Sequence, residues 1–209
     1  GLLLSNNCFA YDFEVDGIYY KKIKGTENQV EVTYKSYKDK SYSGEIVIPQ
    51  KVIYNGIEYS VTSIGASAFM GCSGLTGILT IPNSVTSIGE GAFSACSSLT
   101  SVSIPSSVTS IADHAFAGCN ELSDVICFAE NVPSTRENAF QNSYIEYATL
   151  YVPANSMNAY KATIPWSVFG KFESIDGGVI ELTKCATPTI SYGGKKLSFS
   201  CDTEGVEFV

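Results

Sequence analysis

The chain has 209 residues, 44% of them hydrophobic, enough to bury a sizeable core without metals or disulfides. Its net charge is −8, from 13 Lys and Arg against 21 Asp and Glu; this speaks against nucleic acid and anionic membranes, which demand clustered cations. No run approaches the roughly 18 apolar residues of a membrane span, and seven cysteines with one histidine make neither an even disulfide framework nor a usual zinc site.

Leu2-Leu3-Leu4 followed by Cys8-Phe9-Ala10 reads as the tail of a signal peptide cut after Ala10, or as an appended arm. Residues 1–10 are therefore set apart from the fold. A lipoprotein reading makes Cys8 the acylated residue; Asn7 before it stands against that.

Residues 11–60 are predicted to form an N-terminal β cap. Phe13-Glu14-Val15, Asp16-Gly17, Ile18-Tyr19-Tyr20 reads as a tight hairpin. Val30–Tyr34 and Glu45–Pro49 read as further strands. Val52-Ile53-Tyr54, Asn55-Gly56, Ile57-Glu58-Tyr59 is a second hairpin with a type I′ turn signal. An open stack of repeats needs such a cover for its first coil.

Residues 61–175 repeat. Ile81-Pro82-Asn83-Ser84-Val85-Thr86-Ser87-Ile88-Gly89 is matched by Ile104-Pro105-Ser106-Ser107-Val108-Thr109-Ser110-Ile111-Ala112. Ala68-Phe69 recurs as Ala92-Phe93, Ala115-Phe116 and Ala139-Phe140, with Phe spacings of 24, 23 and 24. Cys72, Cys96, Cys119 and Ser143 follow each Phe by three residues. A period near 23 residues fits one coil of a solenoid. The expected fold is mainly β with short helical turns: a right-handed solenoid of about four coils.

The period-two pattern of Ser101-Val102-Ser103-Ile104 points Val102 and Ile104 inward and the serines outward. Val108 and Ile111 enter the core from the next side. Ala115-Phe116 reads as a short helical turn with Phe116 as the large filler. Register puts Cys72, Cys96 and Cys119 in one column. A metal or redox ladder is one reading of it; a column of small buried residues is the plainer one, and Ser143 suits it. Cys127 falls on the inward position of Ile104 and is read the same way.

The outward positions just before the inward residue are Val47, Thr80, Ser103, Ile126 and Tyr151. Two residues earlier stand Glu45, Ile78, Ser101, Asp124 and Thr149. Of these, Val47, Ile78, Thr80, Ser103, Asp124, Ile126 and Tyr151 are taken as the candidate binding surface. Ile78, Ile126 and Tyr151 are its bulkiest apolar members, and exposed apolar clusters mark interaction sites.

Leu150-Tyr151-Val152-Pro153 and a short helix over Ser156–Lys161 close the array, with Trp166, Phe169 and Phe172 sealing the last coil. Residues 176–184, with Asp176-Gly177-Gly178, read as a linker. In 185–209, Thr189–Tyr192, Gly193-Gly194 and Leu197–Ser200 form a hairpin pattern, the start of a further β module. Cys185 and Cys201 could pair across it if their separation allows.

The phrase from Ile81 to Leu99, IPxSVTSIGxxAFxxCxxL, resembles the BspA-type leucine-rich repeat of surface proteins from anaerobic Bacteroides-like bacteria, over residues 44–175. Leu150 to Tyr160 resembles that family's closing segment, and Phe13 to Tyr20 its entry segment. Cys185 to Cys201 resembles the opening of an immunoglobulin-like β-sandwich. The resemblance implies a secreted or outer-surface protein that adheres to host matrix proteins, other cells or glycans. It implies no cofactor and brings no catalytic residue. It would also account for thiols in an exported chain, since such bacteria live without oxygen. Ala112 in place of the usual Gly, and the eroded unit from Asn131 to Gln141, depart from the pattern.

Three functions compete. The first is a monomeric binding or adhesion module that meets a host extracellular protein or a cell-surface glycan. The second is an enzyme; its only histidine, His114, sits beside Asp113 at a variable, solvent-facing position, and no nucleophile motif such as GxSxG occurs. The third is a structural spacer holding an appended domain away from the cell. The acids of 61–130 lack calcium-loop spacing.

Overall fold

The computed structural model describes residues 10–36 and 42–175 in full, and 189–193 and 196–200 by their backbone. The signal-peptide reading of residues 1–9, the linker at 176–184, and Cys185 and Cys201 lie outside the described residues.

β1 (Phe13–Val15) and β2 (Ile18–Lys22) form the first hairpin, turning through Asp16 and Gly17 at φ of 52° and 78°. The Glu14 carboxylate accepts the Gly17 N–H at 2.7 Å and fixes that turn. β3 (Gln29–Thr33) runs antiparallel to β2. β4 (Lys51–Tyr54) and β5 (Ile57–Ile64) form the second hairpin; Asn55 and Gly56 both take positive φ, 51° and 76°, as a type I′ turn demands. β5 then lies parallel to β3, so the hairpins and the first repeat share one sheet.

Next come β6 (Ile78–Thr80), β7 (Ser87–Ile88), β8 (Ser101–Ile104), β9 (Ser110–Ile111), β10 (Asp124–Cys127), β11 (Ser134–Thr135), β12 (Thr149–Val152), the helix α1 (Met157–Lys161) and β13 (Lys171–Ser174). They alternate between two sheets. One has the order β13-β12-β10-β8-β6 and is parallel throughout. The other continues β5 into β7, β9 and β11, also parallel. Each repeat therefore adds one strand to each sheet. The last described pair, β14 (Thr189–Gly193) and β15 (Lys196–Ser200), is the antiparallel hairpin that the sequence pattern predicts.

Between the sheets runs one apolar core. Its axis is a column of rings. Tyr42, Phe69, Phe93, Phe116 and Phe140 follow one another at centroid distances of 4.6, 4.9, 5.3 and 5.3 Å, the four phenylalanines within 9° of parallel. The spacing is that of neighbouring strands, so the rings stack because the repeats do. Trp166 and Phe169 close the column edge-on against Phe140, each at 5.5 Å. Trp166 is fully buried, as expected of a plug, and its indole N–H finds the Thr135 hydroxyl at 3.1 Å.

Two local expectations are corrected. Glu45–Pro49 is not a strand; it makes one isolated bridge, Val47 to Thr80, and Gly44 just before it makes another, to Leu75. It lies at the edge of the sheet beside β6, and Pro49 cannot donate to a longer ladder. The Ala-Phe segments are not helical turns. They are successive tight turns, such as Cys72 N–H to Phe69 C=O and Met70 N–H to Ser67 C=O. Two left-handed positions build each of the first three. Ser67, Gly91 and His114 occupy the first, at φ of 55°, 59° and 56°; Gly71, Ala95 and Gly118 occupy the second, at 71°, 58° and 68°. Asn142 keeps the second position in the fourth unit, at 59°.

Candidate binding surface

The five-stranded parallel sheet is in register, so its outward side chains stand in columns. Ile78, Ser101, Asp124, Thr149 and Lys171 form one; Thr80, Ser103, Ile126, Tyr151 and Glu173 form the next. Val47 extends the second column through its bridge to Thr80 and is 58% exposed. Ile78, Thr80, Asp124 and Tyr151 are half-buried.

Ser103 and Ile126 are not exposed. They retain 4% and 2% of their accessible surface, and Ser101 retains 2%. In a central strand an outward side chain is flanked on both sides at under 5 Å, and a serine between larger neighbours is covered by them. Ile126 stands between Ser103 and Tyr151. Tyr151 is the register partner of Ile126, and its phenol feels the Asp124 carboxylate, two residues back on the adjoining strand.

What the face offers is therefore a polar and aromatic patch at its β10–β12–β13 end. Burial, the Asp124 charge and hydrogen bond, and the Glu173 charge push the Tyr151 phenol up to about 12. Ser123 donates to the Asp124 carboxylate at 2.6 Å, and Lys171 pairs with Glu173 at 2.9 Å. The Ser101 hydroxyl, beside Asp124 in register, is buried with no hydrogen-bond partner among the described residues.

The thiols serve the core. Cys96 donates to the Phe69 carbonyl at 3.1 Å and Cys119 to that of Phe93 at 3.2 Å. Ser143 does the same to Phe116 and accepts the Cys119 N–H at 3.0 Å. The column thus tethers each turn to the preceding Phe, a role beyond small size. Burial pushes the Cys119 thiol up to about 12 and raises that of Cys127, the opposite of what a nucleophile or metal ligand needs. No cluster among the described residues is arranged to hold a metal ion. His114 is half-buried, and its ring meets Gln141 at 2.9 Å rather than a carboxylate. No helix among the described residues is long and apolar enough to cross a membrane.

A second feature escaped the strand pattern. An open cleft of about 450 Å³ lies at the start of β10, lined by Asn120, Glu121, Leu122, Ser123, Tyr144 and Tyr147. Tyr147 is 85% exposed and Tyr144 55%. The signal was in the repeat: the residue after each Cys or Ser of the column is Ser73, Ser97, Asn120 and then Tyr144.

The class is a parallel-β repeat protein with one strand per unit in each of two sheets. The chain belongs to the BspA type leucine-rich repeat region family, whose model matches six copies over residues 35–162. Repeats of this kind are typically non-enzymatic scaffolds that bind protein. A leucine-rich repeat protein from Bacteroides ovatus is similar at 29% identity and a TM-score of 0.55, over 80% of this chain and 42% of that one. The chain thus spans less than half the length of that relative. One from Bacteroides capillosus is similar at 26% identity and a TM-score of 0.53, over 68% of this chain and 98% of that one. No curated protein sequence matches.

Proposed function

We propose that this chain is a secreted or outer-surface binding module, without enzymatic activity, that adheres to an extracellular protein of a host or of another cell. In this reading the repeats form a right-handed solenoid of about four coils, with the hairpins of 11–60 as its N-terminal cap and the aromatics after Pro165 as its closure. The in-register parallel pairing of successive repeats supports the solenoid. One observation supports the binding surface above others: Tyr151 beside the Asp124 carboxylate, flanked by Lys171 and Glu173, at one end of the face. Tyrosine with a polar rim is the chemistry that recurs at protein contacts.

Its test is binding to a panel of immobilised matrix proteins and to host cells. A matrix protein is retained, and Tyr151→Ala weakens that binding about tenfold or more while the melting temperature stays near that of the parent. Unchanged binding in Tyr151→Ala and Asp124→Asn refutes the patch. Retention of no panel member favours the spacer instead.

A further inference from the structure

The cleft beside Tyr144 and Tyr147 is not explained by packing. Tyr147 leaves most of its ring in water, and Tyr144 more than half. Single exposed apolar residues are ordinary; these two are the N-cap and the last residue of one short 3-10 turn, Ile145–Tyr147, and line the same cleft. In the first two units the matching loops are Ser73-Gly74 and Ser97-Ser98; the third and fourth carry Asn120-Glu121 and the Tyr144–Tyr147 turn. The column itself is unchanged: Ser143 stays buried like Cys72, Cys96 and Cys119, and Ile145 on the other side of Tyr144 is buried too.

Tyr144 also sits at φ 52° and ψ 35°, in the left-handed region. A bulky residue there is uncommon, and Gly or Asn would relieve it. The fold holds a strained aromatic at a position where its ring gains little burial, which directs attention to the ring itself.

We infer that this cleft is a subsite for a neutral saccharide. Two tyrosine faces present flat apolar surface to the C–H side of a sugar ring. Beside them Asn120 brings an amide that donates and accepts, Glu121 a carboxylate that accepts, and Ser123 a hydroxyl oxygen that accepts while its proton goes to Asp124, a set suited to vicinal sugar hydroxyls. The lining carries one carboxylate and no cation, which disfavours sialylated or sulfated sugars. A basic peptide is the weaker fit. A cation gains much from an aromatic face only when stripped of water, and this cleft is open. A saccharide can keep its outer hydroxyls wet while one face lies on the rings. The inference goes beyond the protein-binding reading: it names a second ligand class for a surface adjoining the sheet face, and is tested with residues that the Tyr151 patch does not use.

The experiment is calorimetric titration of the whole chain with neutral hexasaccharides of glucose, mannose, xylose and N-acetylglucosamine. Sialylated and sulfated oligosaccharides and an arginine-rich peptide are run beside them. At least one neutral hexasaccharide binds. Tyr147→Ala and Tyr144→Asn each weaken it about tenfold or more, and Tyr144→Asn does so with an unchanged or higher melting temperature, which a merely structural tyrosine would not give. No binding of any neutral sugar, binding that survives both substitutions, or binding of the anionic sugars or the peptide alone overturns the inference. Matrix-protein binding lost only in Tyr151→Ala, with no sugar bound, would leave the proposed function standing and this subsite refuted.

Discussion

The unit around Phe93 and the unit around Phe140 share a core and differ outside it. Inside, both have a buried Ala-Phe pair, a small donor three residues on and an aliphatic entering the strand. Outside, the first carries Ser97, Ser98, Thr100 and Ser101; the second carries Tyr144, Glu146, Tyr147 and Thr149. Stacking at strand spacing fixes the inner positions, because a misfit there is felt by both neighbours. Nothing in that stacking fixes the outer ones. A repeat can therefore change its surface at little cost in fold, and the late units are where this chain has done so.

The sharpest way to break this comparison is at the ring column. Phe116 is fully buried between Phe93 and Phe140, with both rings 5.3 Å away. Phe116→Ala is expected to cost about 3–5 kcal/mol, since it removes the ring and leaves a cavity that two flanking repeats cannot both collapse into. Tyr147→Ala, on the outside of the next unit, should stay within roughly 0.5 kcal/mol. Urea denaturation of the two variants measures the contrast; equal losses would mean that the Tyr144–Tyr147 turn is structural.

Ser143→Ala probes the tether. The substitution leaves the Phe116 carbonyl and the Cys119 N–H without their partner in a buried place, at a cost of about 1–3 kcal/mol. Cys119→Ser should lie closer to neutral, because serine already fills this column at 143. A larger loss in Cys119→Ser than in Ser143→Ala would show that thiol packing, not donation, holds the column.

These two columns were legible in the sequence because packing enforces a period. Phe at intervals of 24, 23 and 24 and a small residue three places on could be read before any coordinates, and both hairpins announced themselves through Asp-Gly and Asn-Gly. The outward ladder was legible only as a register. Period two says that Ser103 and Ile126 leave the core, but not that in-register neighbours bury them again. The influence of Asp124 on the Tyr151 phenol acts across strands, and no pattern within either segment encodes it. The helical reading of Ala115-Phe116 failed for a related reason. His114 and Ala95 stand where Gly91 and Gly71 stand in neighbouring units, and a non-glycine residue hides a left-handed turn.

Alkaline pH should separate inner from outer tyrosines more gently. The Tyr151 phenol is pushed up from an ordinary 10 to about 12, by burial first and by Asp124 next. Between those values the unfolded chain gives up a proton that the folded chain keeps, so stability is intact below pH 10 and falls from 10 to 12. Burial raises Tyr20, Tyr42 and Tyr160 in the same direction. Denaturation midpoints measured at pH 9, 10 and 11 should decline in the parent and decline less in Tyr151→Phe. Identical declines would place the phenol in water and dissolve its pairing with Asp124.

The smallest effect is expected where a repeat departs from its own consensus without gaining a contact. Ala95 holds φ 58° at the second left-handed position, is exposed, and corresponds to Gly71 and Gly118. An L-residue with a Cβ costs roughly 1–2 kcal/mol in that region, while glycine loses more chain entropy on folding, by about 0.4–1 kcal/mol. The first term is the larger, so Ala95→Gly should stabilise the fold by about 0.5–1 kcal/mol and raise the melting temperature by a few degrees. The same change at Tyr144 should stabilise too, yet remove a ring from the cleft. If Ala95→Gly stabilises and Tyr144→Gly stabilises only at the expense of sugar binding, the strain at 95 is incidental and the strain at 144 is retained for what its side chain touches.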